Sequence, residues 1–327
     1  MANRIENFAI VAIGRNEGER LVRCLAALCK VSDQIVYVDS DSTDESIEIA
    51  RAAGVEILSL DASEKFTAAR ARNAGVAFAA TKWPAADLIF FIDGDCELAD
   101  GFLEAASKAF ESDNEIGIVT GRCRELFPDA TIYNRLCDLE WDGPIGDIEA
   151  CGGIFSVRKA IFDKAGGFDP EIIAAEDDEF CIRVRQTGSR IVRIAHEMCF
   201  HDANITRFGQ WWRRAYRAGY AFAQVGDMHE GYFRRSRRRA LLWGLILPAV
   251  AIAIAFFTNG LGLGLLALYL LSFLRNRRNL IKDGKSKSNA TIYSLFLTIS
   301  KFPNLLGMAD YWRKRLLGQT VRIVEYK

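Results

Sequence analysis

Two aspartates that flank a glycine, Asp93 and Asp95, directly follow an uninterrupted apolar run at residues 88–92. An apolar run of this length that ends at a glycine turn predicts a strand buried on both faces. Open α/β sheets bind their ligands at the carboxyl ends of such strands. Two carboxylates beside a glycine can hold one hard cation, and the glycine lets a phosphate approach the backbone. The pair alone also fits a solvated acidic turn, so the rest of the chain has to decide between the two interpretations.

The first 92 residues alternate between short apolar runs and helical patterns. Apolar runs at 8–13, 34–38, 55–58 and 88–92 are predicted strands. This alternation predicts an α/β fold with a mainly parallel sheet. Because the carboxyl ends of parallel strands lie on one edge of a sheet, the polar residues that follow three of these strands are expected to line one crevice. These residues are Arg15 and Glu17, Asp39 and Asp41, and Asp93 and Asp95.

Two common nucleotide-binding signatures are missing from the sequence. No Gly-x-Gly-x-x-Gly follows the first predicted strand, and no Gly-x-x-x-x-Gly-Lys-Ser/Thr loop occurs. A dinucleotide-dependent dehydrogenase and a P-loop enzyme are therefore disfavoured. The eight cysteines form no Cys-x-x-Cys pair, which disfavours a zinc site and suits free thiols in a reducing compartment. The N-terminus has no apolar signal region, so residues 1–210 are expected to stay in the cytosol.

Charge is distributed unevenly along the chain, although the total is zero. Residues 1–210 contain 22 Lys and Arg against 37 Asp and Glu, whereas residues 211–327 contain 20 against 5. An acidic part suits a metal–nucleotide site, where the cation supplies the positive charge. A basic and apolar part suits an anionic lipid surface. The two parts are therefore expected to have different partners.

The C-terminal third combines arginine clusters with an apolar run. Arginine-rich segments at 234–239 and 275–278 flank residues 240–274, which carry no charge. Thr258-Asn259-Gly260 interrupts the run, which is therefore predicted to form a helical hairpin with segments of about 27 Å and 21 Å. Arginines at both ends place both ends in the cytosol. A spanning hairpin, a re-entrant hairpin and a buried soluble hairpin all stay open.

These patterns predict the domain borders. A basic, aromatic stretch near Trp211 could also bind nucleic acid. The adjoining apolar run favours contact with a membrane surface instead, so no nucleic-acid partner is expected. The predicted parts are a catalytic domain at 1–210, amphipathic and basic connecting helices at 211–239, the hydrophobic membrane hairpin at 240–274, and interfacial helices with a basic tail at 275–327.

The separated motifs agree with one family. The chain resembles the family 2 glycosyltransferases, which have the A-type nucleotide-sugar fold (GT-A). Each piece is weak alone, but the order and spacing of the set are specific over about residues 8–205. The matching pieces are VAIGRNE at 11–17, VDSDSTD at 38–44, ARNAG at 71–75, DGD at 93–95, GGFD at 166–169 and EDDEF at 176–180.

The resemblance implies a nucleotide-sugar donor and a divalent metal, Mn²⁺ or Mg²⁺, and it implies residues that bind them. Asp39 resembles the contact to the nucleotide base, and Arg72 resembles a contact to the donor nucleotide. Asp93 and Asp95 resemble the family's Asp-x-Asp pair, with Asp95 as the direct metal ligand. His201 stands where some members supply a late histidine to the metal or the pyrophosphate, and a packing histidine fits it equally well.

On the acceptor side, the resemblance assigns Asp177 as the catalytic base. Its neighbours Glu176 and Asp178 are expected to raise its pKa, because like charges disfavour ionisation. Gly152 and Gly153 are expected to leave room for the acceptor. A single base opposite the leaving group implies direct displacement with inversion.

The first loop departs from the family pattern. It has Gly14-Arg15-Asn16-Glu17 where Pro-Thr-Tyr-Asn-Glu is common, so the donor contacts of Arg15 and Glu17 and the identity of the nucleotide stay open. QWWRR at 210–214 resembles a degraded Gln-x-x-Arg-Trp element of processive synthases, which favours a non-processive enzyme. An interfacial helix with snorkelling arginines fits the same residues.

Together, these expectations describe an inverting glycosyltransferase. It would move a sugar to a hydroxyl of a lipid-linked glycan or polysaccharide precursor at the cytosolic face of the inner (plasma) membrane. A polyprenyl-phosphate glycosyltransferase, which needs no hydroxyl deprotonation, stays open. A nucleotidyltransferase lacks its Gly-rich triphosphate loop, and a catalytically inactive membrane adaptor is the non-enzymatic alternative. Cys96, beside the aspartate pair, receives no role.

Overall fold

The computed structural model of the chain describes residues 5–319. The predicted basic tail beyond residue 319 lies outside these residues. The chain divides into two compact units. One comprises the residues up to Phe127 and Glu140–Ala203, and the other comprises Pro128–Leu139 and the residues from Asn204 onward. The sequence patterns place the end of the catalytic domain at residue 210, and the first unit ends at Ala203.

The first unit is built on one sheet, which has nine strands within residues 5–319. The strands are β1 (Phe8–Gly14), β2 (Ile35–Asp39), β3 (Glu56–Ser59), β4 (Leu88–Asp93), β5 (Cys96–Leu98), β6 (Ile116–Glu125), β7 (Gly146–Asp147), β8 (Phe155–Arg158) and β9 (Arg190–His201). Their spatial order is β3-β2-β1-β4-β8-β6-β9-β5, and β7 pairs with β9.

The sheet is parallel at one end and mixed at the other. β1 runs parallel to β2 and β4, and β2 runs parallel to β3, as the alternation of strands and helices predicts. β8 then runs antiparallel to both β4 and β6. β9 is parallel to β6 but antiparallel to β5 and β7. The α/β fold class is confirmed, but the continuous parallel order covers only β3-β2-β1-β4, where helices cross between neighbouring strands, and β6–β9 is a separate parallel pair.

The sheet is covered on both faces, which explains why β4 is apolar throughout. Successive strand residues point to opposite faces. Phe90 packs against Phe102 with ring centroids 5.7 Å apart, whereas Phe91 packs against Phe155 at 5.3 Å. The first seven helices are α1 (Glu19–Leu28), α2 (Ser46–Ala53), α3 (Ala68–Lys82), α4 (Phe102–Ser112), α5 (Ile132–Trp141), α6 (Lys159–Ala165) and α7 (Glu176–Gln186).

Helix α3 lies unusually close to the sheet because of Gly75. A Cβ at this position would lie 2.3 Å from Cγ1 of Val11 on β1. Thr67 caps the N-terminus of the helix, because its hydroxyl oxygen accepts a hydrogen bond from the backbone N–H of Arg70. This close packing fixes the distance between β1 and the preceding turn of α3, which carries Arg72 and Asn73.

The second unit is helical. Helices α8 and α13 approach closely through two glycines: a Cβ at Gly219 or at Gly307 would lie 2.0 Å from a backbone oxygen of the facing helix. The elements are α8 (Phe208–Met228), α9 (Arg234–Leu241), a π-helical turn (Leu242–Ile246), α10 (Leu247–Phe257), a 3₁₀ segment (Leu261–Leu266), α11 (Ala267–Lys282), α12 (Lys287–Ile299) and α13 (Lys301–Leu316).

Among residues 5–319, one continuous helical stretch is long and apolar enough to cross a membrane. It is the 24-residue stretch Arg234–Phe257, whose most apolar window has a mean hydropathy of 2.5 and is only 11% buried. The chain turns at Asn259 and Gly260, which have φ of 49° and 93°. The following segment packs back on α10, because a Cβ at Gly262 would lie 2.3 Å from the backbone nitrogen of Ala255.

Candidate active site

The carboxyl ends of β1, β2 and β4 form one edge of the sheet. The last residue of β1, Gly14, pairs in register with Asp39, and Ile13 pairs with Asp93. The backbone N–H of Gly94 donates to the carbonyl of Ile13 at 2.7 Å, which fixes the turn after β4. Asp39 and Asp93 therefore flank the same end of β1, where the sequence predicts a crevice.

Arg72 is 2% exposed and lies between two carboxylates. Its Nη2 donates to Oδ1 of Asp93 at 2.9 Å, and its Nη1 donates to Oε1 of Glu176 at 2.7 Å. Its guanidinium carbon lies 5.5 Å from the ring centre of Phe168. Burial alone would lower the pKa of this guanidinium, but Asp93, Glu176 and Asp177 outweigh it, so the pKa is raised. Arg72 thus stays charged and ties the Asp-x-Asp turn to the start of α7.

The two glycines predicted on the acceptor side differ in their surroundings. A Cβ at Gly153 would lie 2.2 Å from Nη2 of Arg72, whereas no atom lies within 4 Å of a Cβ at Gly152. The backbone at Gly153 therefore packs directly against the guanidinium of Arg72 and leaves no space for a side chain. Gly152 is exposed and faces open space. Only Gly152 leaves room for a ligand; Gly153 makes room for Arg72.

Asn73 holds the Gly-Gly-Phe-Asp piece in place. Its Nδ2 donates to the carbonyl of Phe168 at 2.7 Å, and its Oδ1 accepts from the N–H of Phe168 at 2.9 Å. Gly167 has φ of 68°, a conformation that favours glycine. Arg183 donates to the carbonyl of Gly167 at 2.5 Å. The two motifs at 71–75 and 166–169 are thus joined, and Phe168 is held against Arg72.

Asp177 stands in the first turn of α7, after Ala175 in a left-handed conformation with φ of 61°. Its Oδ1 accepts a hydrogen bond from the N–H of Asp178 at 2.9 Å. Burial raises the pKa of Asp177 well above its usual range, and the carboxylates of Glu176 and Asp178 raise it further, while Arg72 lowers it in part. The acidic neighbours act as predicted, but burial is the larger cause. A carboxylate of this kind is suited to accept a proton near neutral pH.

Asp95 and His201 meet across the sheet. β5 and β9 pair so that Cys96 lies opposite His201, and Nε2 of His201 is 3.0 Å from Oδ2 of the 4% exposed Asp95. Trp141, the last residue of α5, stacks on His201 with ring centroids 4.7 Å apart. His201 therefore packs against an aromatic ring and also contacts the carboxylate of Asp95. A packing role and a role as metal or pyrophosphate ligand are compatible for this histidine.

The donor set at this point fits a divalent cation. Asp95, Cys96 and His201 offer one ligand atom each within 4.8 Å of one another. Carboxylate oxygens bind both Mn²⁺ and Mg²⁺, so the donor set does not choose between these metals. Burial raises the pKa of Cys96 to about 12, and its Sγ lies 3.4 Å from Oδ1 of Asp95, to which it donates. Cys96 therefore orients the carboxylate as a neutral thiol and is a poor ligand itself.

Asp39 and Asp41 have different surroundings. Asp39 is 1% exposed, and its carboxylate accepts from the N–H of Ser42 at 2.9 Å and from the hydroxyl of Tyr37 at 3.3 Å. Asp41 is exposed and has φ of 65°. Asp39 thus shapes the turn after β2, and Asp41 is the member of the pair that solvent reaches.

The remaining predicted donor residues lie on the first loop. Arg15 is exposed, and its guanidinium carbon lies 5.6 Å from the ring centre of Phe66. Glu17 pairs with Arg20 at 2.9 Å. Asn16 joins this loop to the loop after β2, because its Oδ1 accepts from the N–H of Thr43 at 2.7 Å.

Sequence reasoning missed Trp141, Phe66 and the thiol of Cys96. Residues 131–150 show no clear period, and Trp141 stands out there only as an aromatic residue among acids. Phe66 lies just before α3, which begins at Ala68, and the sequence patterns give it no role. No sequence signal marks Cys96 beyond its position next to Asp95.

The comparisons with known proteins decide the family. Residues 10–162 match the model of glycosyl transferase family 2. The chain carries a family 2 glycosyltransferase domain. The family expected from the motifs is thus confirmed, and the motifs at 166–169 and 176–180 lie beyond the matched residues.

One curated protein that the chain is similar to is a TPR repeat-containing protein of Synechococcus elongatus (strain ATCC 33912 / PCC 7942 / FACHB-805). It is 36% identical over 90 residues, which are 28% of this chain and 21% of that protein. The chain thus spans about a fifth of the length of the curated relative that it matches.

Solved structures are similar over most of the chain. The mannosyltransferase PcManGT from Pyrobaculum calidifontis, in complex with GDP-Man and Mn²⁺, has a TM-score of 0.62 at 18% identity, covering 94% of this chain and 87% of that one. TarS 1-349 of S. aureus has a TM-score of 0.51 at 16% identity, covering 98% and 95%. At these identities the likeness shows the fold, which confirms the GT-A class.

The two neighbouring glycines give a matched test of how Arg72 is held. Gly153→Ala is expected to lower the free energy of unfolding by about 1–3 kcal/mol, because the new methyl overlaps a buried ion-paired guanidinium. Gly152→Ala faces open space and is expected to change stability by no more than about 0.5 kcal/mol. Thermal melting without ligands measures both. Equal melting temperatures for the two variants would contradict this account of Arg72.

Proposed function

We propose that this chain is a metal-dependent, inverting glycosyltransferase that takes its sugar from a nucleotide-sugar donor. The bridge formed by Arg72 carries the proposal, because it brings the donor motif at Asp93 and the acid-rich turn at Glu176 into one site. The family of residues 10–162 and the GDP-Man and Mn²⁺ bound by PcManGT support it.

At the donor end, Asp95 and His201 would hold the divalent cation, together with the less buried Asp93. Arg72 fixes one oxygen of Asp93 and thereby sets the orientation of that carboxylate. The thiol of Cys96 does the same for Asp95. When bound, the cation stabilises the negative charge that develops on the leaving diphosphate. The exposed residues Arg15 and Asp41, with Glu17 and the turn at Asp39, are proposed to contact the nucleotide.

At the acceptor end, Asp177 would act as the general base. As the acceptor oxygen attacks the anomeric carbon, its proton passes to the carboxylate and the bond to the diphosphate breaks on the opposite face, which inverts the configuration. Such proton transfer accelerates a reaction by roughly a hundred- to ten-thousand-fold. Glu176 keeps the base in place through Arg72, and the open space at Gly152 would admit the acceptor.

The second unit suggests where the acceptor is found. Large apolar side chains of α10 are exposed, including Ile252 at 64% and Phe256 and Phe257 at 83% each. Arginines at 234–239 precede this apolar stretch, as expected for a helix end at an anionic cytosolic surface. We therefore place the enzyme at the cytosolic face of the plasma membrane, with a lipid-linked glycan or polysaccharide precursor as acceptor.

Asp177→Asn is expected to abolish transfer while binding of GDP-mannose or another nucleotide sugar survives. Single-turnover assays and donor binding by calorimetry measure the two effects, and Asp163→Asn, which changes an exposed carboxylate of α6 paired with Lys159, is the matched control. If transfer persists at near wild-type rate, Asp177 is not the base. Such persistence with polyprenyl phosphate as acceptor would favour the alternative enzyme, which needs no hydroxyl deprotonation.

The same variant is expected to stabilise the fold. The pKa of Asp177 is higher in the folded than in the unfolded state, so its ionisation opposes folding at every pH above the unfolded value of about 4. Asparagine removes this penalty, and the melting temperature should exceed that of wild type at pH 7–8. The difference should shrink as the pH falls toward about 4. A variant that melts lower than wild type throughout this range would contradict the raised pKa.

The proposed cation site can be tested without turnover. Mn²⁺ together with GDP-mannose is expected to raise the melting temperature, by the equivalent of about 2.7 kcal/mol at a hundredfold excess over the dissociation constant. Asp95→Asn and His201→Gln should lose the metal-dependent part of this shift. His196→Gln, a histidine change on the same strand but outside the site, should retain it. Equal metal-dependent shifts in all variants would exclude Asp95 and His201 as ligands.

Membrane contact is tested by flotation of the full chain with vesicles that contain phosphatidylglycerol. Ile252→Asp places a charge in the middle of α10, which costs about 2.5–3.5 kcal/mol in a bilayer, and is expected to release most of the protein from the vesicles. Ile145→Asp changes an equally exposed apolar residue of the first unit and should leave flotation unchanged. If neither substitution changes the fraction of protein that floats with the vesicles, α10 does not enter the bilayer.

A further inference from the structure

The helical unit contains a polar cavity of about 300 Å³ that the proposed reaction does not use. It is lined by residues of α9, the π-helical turn, α11, α12 and α13. Three of them are cations: Arg239 on α9, Arg275 on α11, and Lys301 at the start of α13. Its volume is at the lower end of pockets that hold small molecules.

Among the residues that the structure describes, no carboxylate forms an ion pair with any of the three cations. No carboxylate within residues 5–319 lines the cavity. Between residues 234 and 319 the sequence has only two acids, Asp283 and Asp310, and Asp310 is already paired with Lys314 at 2.7 Å. Like charges that face one cavity repel each other, so an anion bound there would be stabilised by all three.

Close packing enforces this arrangement. A Cβ at Gly244, in the π-helical turn, would lie 2.8 Å from the carbonyl oxygen of Lys301, so the apolar helix approaches α13 at this point. The hydroxyl of Tyr269 donates to the carbonyl of Trp243, which joins α11 to the same turn. Burial lowers the pKa of Lys301, and the charge of Arg239 lowers it further. The packing therefore fixes the backbone of the helices that carry Arg239, Arg275 and Lys301 around one cavity.

Neutral hydrogen-bonding groups complete the lining. Ser272, Asn276 and Asn279 of α11 and Thr298 of α12 face the same space. A phosphate group has several oxygens that accept hydrogen bonds, and it matches a site with cations and neutral donors but without carboxylates.

We propose that this cavity binds the phosphate of a membrane lipid headgroup. A free phosphate has the same chemistry, but Arg239 belongs to the continuous helix Arg234–Phe257, whose apolar part begins at the next residue. Basic pockets at the cytosolic ends of apolar helices are suited to lipid phosphates. The choice of a lipid rests on the membrane contact proposed above, whereas the presence of a phosphate site rests on the cavity alone.

The test uses the full chain in detergent and counts bound lipid by native mass spectrometry. The probes are dioleoyl phosphatidic acid and dioleoylglycerol, which differ by the phosphate, and inorganic phosphate as a soluble competitor. Arg275→Gln and Lys301→Gln are each expected to weaken binding of phosphatidic acid about fivefold, and the double variant about 25-fold. Arg278→Gln and Arg238→Gln remove neighbouring charges outside the lining and should stay within about twofold of wild type.

Each outcome decides the proposal. Selective binding of phosphatidic acid with loss only in the lining variants supports it. Equal losses in lining and control variants would show a diffuse basic surface, and inorganic phosphate that binds as tightly as phosphatidic acid would overturn the lipid assignment. If Lys301→Gln does not fold, Arg239→Gln with Arg275→Gln tests the same site on two exposed residues. Donor binding is read separately, so its failure would refute the proposed transfer and leave the lipid result standing.

Discussion

The buried ion pairs of Arg72 are the constraint on which the rest of the site depends. Taking a guanidinium out of water costs several kcal/mol, and only well-placed hydrogen bonds to charged partners offset this cost. Asp93 and Glu176 supply them from β4 and α7, and Gly153 gives the space. Because loss of either carboxylate would leave a buried unpaired charge, the positions of α3, β4 and α7 are coupled to one side chain.

One cation among three carboxylates also sets the electrostatics of the site. Arg72 faces Asp93, Glu176 and Asp177, so the local charge stays negative. A divalent cation complements this excess, and the pKa of Asp177 is raised by burial and by the neighbouring carboxylates more than Arg72 lowers it. The features that would make this residue a base also oppose folding, which is common where an active site stores unfavourable interactions.

Sequence patterns predict the parts of this fold that depend on local order. The buried strand at 88–92, the parallel order of the first four strands and the acidic turn after β4 all follow from apolar runs and glycine. The insertion of β8 between β4 and β6, and the β5–β9 register that brings His201 to Asp95, depend on pairing between distant segments, which no local period encodes. The family motifs imply that Arg72 contacts the nucleotide. Its two carboxylate partners, Asp93 and Glu176, can be identified only in the folded structure, where β4 and α7 lie beside α3.

The two units apply one physical rule with different outcomes. A buried cation needs a counter-charge, and cations that face one cavity repel each other until an anion binds. In the first unit the chain supplies it, because Asp93 and Glu176 are built around Arg72. In the second unit Arg239, Arg275 and Lys301 share a cavity that no carboxylate lines, in a part of the chain with few acids. A fold that brings cations together without compensation is stabilised when an anion arrives from outside. The uneven charge of the chain therefore gives Arg72 its counter-charges within the first unit, whereas the cations of the cavity would be compensated by the phosphate that we propose binds there.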